Sequence, residues 1–244
     1  MYILKNNIKI SFSLHWATRF TCIKIQLMHF IDLVERIDKV LFMLIHNDSD
    51  HDILDKVIPY LRNAATWIPL YLFMLIFAVK TAKEKVWQFV LLTLLTFACT
   101  DIISASLLKP LFSRVRPCYD AELSGMIRNI INCGGMYSLP SSHATNHFGL
   151  AFFWYKAIFI MTGKRWSWLW VWAAIVGYAQ VYVGKHYPMD IVAGAILGCL
   201  IASVMAGLFE KLWNSPNNNQ LRSINYFIGN LLTPKNRRNS GTQF

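Results

Sequence analysis

A chain of 244 residues has the length of one or two soluble domains, but 55% of its residues are hydrophobic, only 15% are charged, and the hydrophobic residues are bunched into long runs. The formal net charge of +11 raises nucleic acid as a partner. Its placement, mostly in the connections between apolar runs, excludes that reading and makes the surplus a topology signal.

In chain order, residues 1–26 are basic (Lys5, Lys9, Arg19, Lys24), with no acidic residue before Asp32 and no continuous apolar core of the signal-peptide kind. They form a cytoplasmic tail, or else translation begins at Met28. A membrane-embedded domain over 27–213 is expected to follow. Within it, residues 27–46 are apolar at Phe30, Val34, Ile37, Leu41 and Leu44, a helical spacing, yet they also carry Asp32, Glu35, Arg36, Asp38 and Lys39. Two readings stay open: a helix crossing the membrane against others, which makes the topology consistent, or an amphipathic helix in the interface.

Five runs are clearer. Residues 63–79, 166–184 and 191–209 contain no charge, 86–108 only Asp101, and 144–163 only Lys156. Each approaches the ~20 residues a helix needs to span a bilayer, where backbone hydrogen bonding favours helices. The expected fold is all-α, a polytopic membrane helical bundle of five to six transmembrane helices. Lys80, Lys83 and Lys85, then Lys164 and Arg165, then Lys211, Arg222, Lys235, Arg237 and Arg238 fall on one side when the runs are threaded in order. That is the positive-inside pattern, and it puts 109–143 and 185–190 together on the outer side. The last run repeats small residues at Gly194, Gly198, Ala202 and Ala206, a stripe for close helix packing. Residues 214–244 are a polar cytoplasmic tail.

Some residues have plain structural readings. Asp101 is expected to pair with Lys156 or else to shape the substrate cavity. His147, a turn beyond His143, is expected to support its neighbour through a hydrogen bond. The tryptophans from Trp166 to Trp172 suit an interfacial belt. Cys118 and Cys133 share the outer loop, where a disulfide is chemically allowed.

Three polar clusters stand at the outer ends of the apolar runs. "KPLFSRVRP" carries Lys109, Arg114 and Arg116. "SLPSSHATNH" opens a helix with Ser141, Ser142 and His143, and a helix N-terminus offers free N–H groups to an anion. "KHYPMD" places His186 four residues before Asp190, so that the carboxylate can fix the imidazole tautomer and free the other nitrogen's lone pair. Together they compose a phosphate site with a nucleophile and an acid.

Lys109 with Arg116–Pro117 matches the motif K-x6-RP, "PSSH" matches PSGH with serine for glycine, and "AQVYVGKHYPMD" matches SR-x5-H-x3-D except at its first two positions. On these motifs the stretch from about residue 60 to 210 resembles the type-2 phosphatidate phosphatase superfamily, especially its bacterial undecaprenyl-diphosphatase and lipid A phosphatase branches. The resemblance implies a lipid phosphatase of a bacterial cytoplasmic membrane, with its site facing the periplasm, lipid phosphate and membrane lipids as partners, and no metal or other cofactor. It implies His186 as the nucleophile, Asp190 as its orienting acid and His143 as proton donor to the leaving oxygen. Lys109, Arg116, Ser141 and Ser142 would hold the phosphoryl oxygens. A phosphotransferase using the same site is the neighbouring alternative. The departure is at Ala179–Gln180, where the motif has serine–arginine. A glutamine there brings hydrogen bonds but no charge, so Lys185 or Arg114 is expected to fill the gap; failing that, the chain is a weak, lipid-binding homologue.

Overall fold

The computed structural model describes residues 2–47, 52–123, 125–128 and 130–215, with side chains from residue 24 onward except Ile25. Among these residues there is no strand, only an isolated antiparallel bridge between Val115 and Tyr137. The helices are α1 (Tyr2–Asn47), α2 (Asp52–Leu61), α3 (Ile68–Ala82), α4 (Val86–Asp101), α5 (Lys109–Phe112), α6 (Ser142–Thr162), α7 (Trp168–Tyr182) and α8 (Pro188–Asn214). A π-helical stretch, Ile102–Leu108, joins α4 to α5 without a break. The expected boundary after residue 26 is not a helix boundary, since α1 runs straight through it.

Two continuous helical stretches, Ala64–Phe112 and Pro188–Asn214, are long and apolar enough to cross a membrane. The first holds two crossings. Lys83, with a positive φ of 47°, turns the chain through Lys83–Lys85 so that α4 packs back on α3. α6 and α7, of 21 and 15 residues, fill the centre of the bundle.

Burial is arranged for an apolar solvent. The faces turned outward are aliphatic, as at Leu72, Ile76, Leu94, Ile196, Leu200 and Val204, while small and polar residues turn inward. α1 shows the inversion most clearly. Its apolar positions, such as Phe30, 62% exposed, with Ile37, Leu41 and Leu44, face outward. The buried face is Asp38, Phe42 and His46 at four-residue spacing, with Asp38 only 1% exposed. The molecule is an all-α, polytopic membrane bundle.

The small-residue stripe of α8 packs on α6. A Cβ at Gly194 would come within 2.7 Å of the Ser141 carbonyl oxygen, and one at Gly198 would overlap the Thr145 carbonyl oxygen. This contact brings the N-terminal ends of α6 and α8 together, where Ser141 N–H donates to the Asp190 carbonyl at 3.0 Å. Gly198→Ala is therefore expected to destabilise the bundle by about 1–3 kcal/mol, the usual range for overpacking. Gly207→Ala, on the same helix in open space, should be neutral. Thermal unfolding of both variants in detergent checks this.

Asp101 is a correction. Its Oδ1 accepts from Asn146 Nδ2 at 3.0 Å, while Lys156 is exposed and makes no ion pair among the described residues. Depth explains it. Asp101 lies eight residues, roughly 12 Å, before Lys109, and Lys156 lies fourteen residues, roughly 21 Å, from the start of α6, farther from the polar end of the bundle.

Candidate active site

At one end of the bundle the three polar clusters meet. α5 ends at Ser113, in a left-handed conformation at φ 48°. The chain then runs extended, and Ser138 N–H donates to Arg114 O at 2.8 Å while Arg116 N–H donates to Met136 O at 3.0 Å. These bonds tie the Lys109–Pro117 segment to the strand of chain entering α6. The Cys118 and Cys133 side chains are set against each other as a disulfide pair, with Cα atoms 6.3 Å apart, within the span of such a bond. Arg116 lies beneath this loop. Its Nη1 donates to Cys133 O at 2.8 Å and its Nε to Tyr137 O at 3.1 Å. Closing a loop of this length is worth about 3 kcal/mol. Non-reducing peptide mapping is expected to recover the two cysteines joined, and two free thiols would remove the tether.

α6 begins at Ser141, which is buried and caps the helix by accepting from Ala144 N–H at 3.4 Å. Ser142 Oγ, by contrast, is buried with no partner among the described residues. His143 follows, its ring parallel to that of His147 at 6.4 Å. His147 Nδ1 bonds to the His143 carbonyl at 2.8 Å, and its ring meets the Trp172 edge at 5.0 Å.

α8 begins with Pro188 at its first turn, a position where the missing N–H costs nothing. Asp190, three residues past the cap, accepts Tyr187 N–H through Oδ2 at 2.9 Å. The same Oδ2 faces His186 Nδ1 at 3.5 Å, an ion-pair distance rather than a closed hydrogen bond, and both side chains are buried. His186 Nε2 has no protein partner among the described residues. Burial holds the imidazole's pKa down at about 4, with Lys109 and Arg116 adding to the effect against the pull of Asp190. The ring is neutral at physiological pH.

The other oxygen of Asp190 accepts from Arg114 Nη1 at 2.8 Å. Arg114 Nη2 donates to Asp38 Oδ2 at 2.7 Å, and Asp38 Oδ1 accepts Met189 N–H at 2.9 Å. The guanidinium also lies 4.2 Å from the centre of the Tyr187 ring. Arg114 is thus committed to two buried carboxylates. It does not fill the gap at Gln180, because its charge is already spent on α1 and α8.

Lys109, Arg116 and Lys185 are different: among the described residues none forms an ion pair with a carboxylate. Lys185 Nζ and Arg116 Nη1 come within 3.6 and 3.9 Å of where a Cβ on Gly134 would stand. Lys109 acts electrostatically on both His143 and His186. Gln180 is fully buried in α7, its Oε1 accepting from Arg62 Nε at 3.4 Å. Arg62, which the motifs do not include, also acts on His143 and Lys185 and is itself acted on by Arg116. Such a gathering of cations, none of them in an ion pair among the described residues, favours a bound anion.

The same geometry predicts a pH dependence. Burial first, then Arg62, Arg116 and Lys109, lower the Lys185 pKa to about 8. Inhibition by inorganic phosphate should therefore weaken as pH rises through about 8, where the cation is lost. Lys185→Arg should remove that limb, because guanidinium stays charged. A phosphate Ki measured from pH 7 to 9.5 in both proteins tests it.

Residues 85–214 match the PAP2 superfamily. The chain belongs to that family. It is 33% identical over 173 residues to the lipid A 4'-phosphatase of Bacteroides thetaiotaomicron, covering 69% of this chain and 75% of the relative. It is 30% identical over 144 residues to the undecaprenyl-diphosphatase of Sulfolobus acidocaldarius, covering 53% and 66%. The fold resembles the crystal structure of a transmembrane PAP2-type phosphatidylglycerolphosphate phosphatase from Bacillus subtilis. That match has a TM-score of 0.59 at 20% identity, over 73% of this chain and 87% of the other. This PAP2 protein is a membrane phosphatase.

Proposed function

We propose that this PAP2 phosphatase removes phosphate from a lipid at the outer face of a bacterial cytoplasmic membrane, through a phosphohistidine on His186. The observation that carries the reading is the unpaired cation group of Lys109, Arg116 and Lys185 around a neutral, buried His186 backed by Asp190. With Nδ1–H turned toward Asp190, the Nε2 lone pair attacks phosphorus and the bond from phosphorus to the lipid oxygen breaks. His143 gives that oxygen its proton. Water then gives a proton back to His143 as it attacks phosphorus, the bond from phosphorus to Nε2 breaks, and phosphate leaves. The cations, the Ser142 hydroxyl and the N–H groups opening α6 stabilise the equatorial oxygens as charge develops there.

The facing is supported by the opposite end of the bundle. Lys80, Lys83, Lys85, Lys164 and Arg165 lie there, and Lys85 donates to the Trp213 and Ser215 carbonyls at the end of α8. Lipid A and undecaprenyl diphosphate are the substrates favoured by the relatives, lipid A first, since that relative covers more of the chain. Phosphate release by the purified protein, measured with EDTA present on lipid A, undecaprenyl diphosphate, phosphatidate and phosphatidylglycerophosphate, tests the reading. Release should be greatest from one of the first two. Release from none of the four would overturn it, and phosphate delivered to a second lipid rather than water would make the protein a transferase.

A further inference from the structure

Arg62 lies outside the span that matches the family model, 85–214, and outside all three motifs. It follows the last turn of α2, where its N–H donates to Ile58 O at 3.3 Å. Ile58 is buried with Ala179, Tyr182 and Val183, so α2 is packed on the outer end of α7 beside the site. The turn after Arg62 is stapled three times. Thr66 Oγ1 donates to Tyr60 O at 2.7 Å, Trp67 Nε1 to Leu61 O at 2.8 Å, and Ala65 N–H to Asn63 Oδ1 at 3.1 Å. The long side chain therefore starts from a fixed base.

Its guanidinium reaches Gln180 and stops among cations. Among the described residues no carboxylate pairs with it. Of the charged neighbours, it acts most strongly on both His143 and Lys185. Gln180 is 0% exposed, its oxygen turned to Arg62 and its Nε2 left without a partner. A buried neutral amide that accepts from an arginine can orient the fork without consuming its charge, as a carboxylate would.

We propose that Arg62 is a phosphoryl-binding residue of this site, and that Gln180 is the residue that positions it. The charge absent from position 180 is delivered from α2 instead, so a glutamine there belongs to a complete site. An arginine at 180 would set a second guanidinium against the first. The inference rests on the phosphatase reading above and adds to it the residue that completes the anion pocket.

The experiment measures kcat/KM on the best lipid phosphate, the Ki of inorganic phosphate and the melting temperature of the full-length protein. Arg62→Ala should lower kcat/KM on the order of 100-fold, as for loss of one transition-state donor, and raise the phosphate Ki at least about tenfold. Arg62→Lys should recover part of both. Gln180→Leu should raise the Ki with little change in melting temperature, which a merely structural glutamine would not do. Gln180→Arg alone should impair the enzyme, yet in the Arg62→Ala background it should restore about tenfold or more. Parent-like values for Arg62→Ala, or a double variant no better than Arg62→Ala, would overturn the proposal. If Arg62→Ala fails to insert, Arg62→Lys and Gln180→Leu still decide: parent-like phosphate Ki in both would overturn the proposal. Should the parent release no phosphate from any lipid, calorimetric phosphate binding separates the two readings. Binding that depends on Arg62 keeps this inference without the phosphatase, and no binding removes both.

Discussion

His186→Ala is expected to lower lipid phosphate hydrolysis by roughly 10⁴-fold or more, the scale on which loss of a covalent nucleophile is felt. The ring is buried, neutral and faced by Asp190, and it sits just before α8, within the electrostatic reach of Lys109 and Arg116. Expression and membrane insertion should be unaffected, because the ring closes no hydrogen bond in the fold. The same variant should fail to retain label from a lipid carrying radioactive phosphate, whereas the parent should yield an acid-labile, base-stable phosphoprotein. Asp190→Asn should be impaired too, since an amide facing Nδ1 no longer favours the charge that develops on the ring. Turnover by His186→Ala within tenfold of the parent would mean that phosphate leaves without a histidine adduct.

Much of this site was legible because a membrane makes polar residues expensive. Lys109, Arg116, His143, His186 and Asp190 stand out at the ends of uncharged runs, and threading those runs by their basic connections puts all five on one side. The five runs correspond to α3, α4 with its extension, α6, α7 and α8, whereas α2 (Asp52–Leu61) lies in none of them. What sequence could not supply was the pairing of charges. Asp101 chose Asn146 over Lys156 because depth in the bilayer decides, and depth depends on which helix ends are level. The apolar stripe of α1 did not say which side of that helix meets its neighbours; in the bundle it faces outward, and the buried face is the polar one carrying Asp38. Arg62 reads as an ordinary cation before an apolar run. The one signal that could have found it is Gln180 itself, since a phosphate pocket short of a charge is a reason to search the chain for another.

Arg114 is where charge pattern and geometry part most sharply, and its replacement separates them. As an anion ligand, Arg114→Ala would weaken phosphate binding and leave stability alone. The structure instead gives Arg114 to Asp190 and Asp38, at 2.8 and 2.7 Å, with both carboxylates essentially buried. Its removal leaves two buried acids near each other with no cation between them. Breaking such a pair from one side typically costs about 3–5 kcal/mol. The melting temperature should fall accordingly, and kcat should fall with it as Asp190 loses the bond that holds Oδ2 toward His186. The phosphate Ki of whatever protein remains folded should change little. Neutralising the second acid should then help. Asp38→Asn in the Arg114→Ala background removes one uncompensated charge while still accepting Met189 N–H, so it should recover part of the stability although the single Asp38→Asn variant is itself destabilised. Parent-like stability together with a raised phosphate Ki in Arg114→Ala would return Arg114 to the anion pocket. Recovery of stability by Asp38→Asn is an outcome an anion ligand could not produce, because it reports the charge balance between α1 and α8 that positions the Asp190 carboxylate.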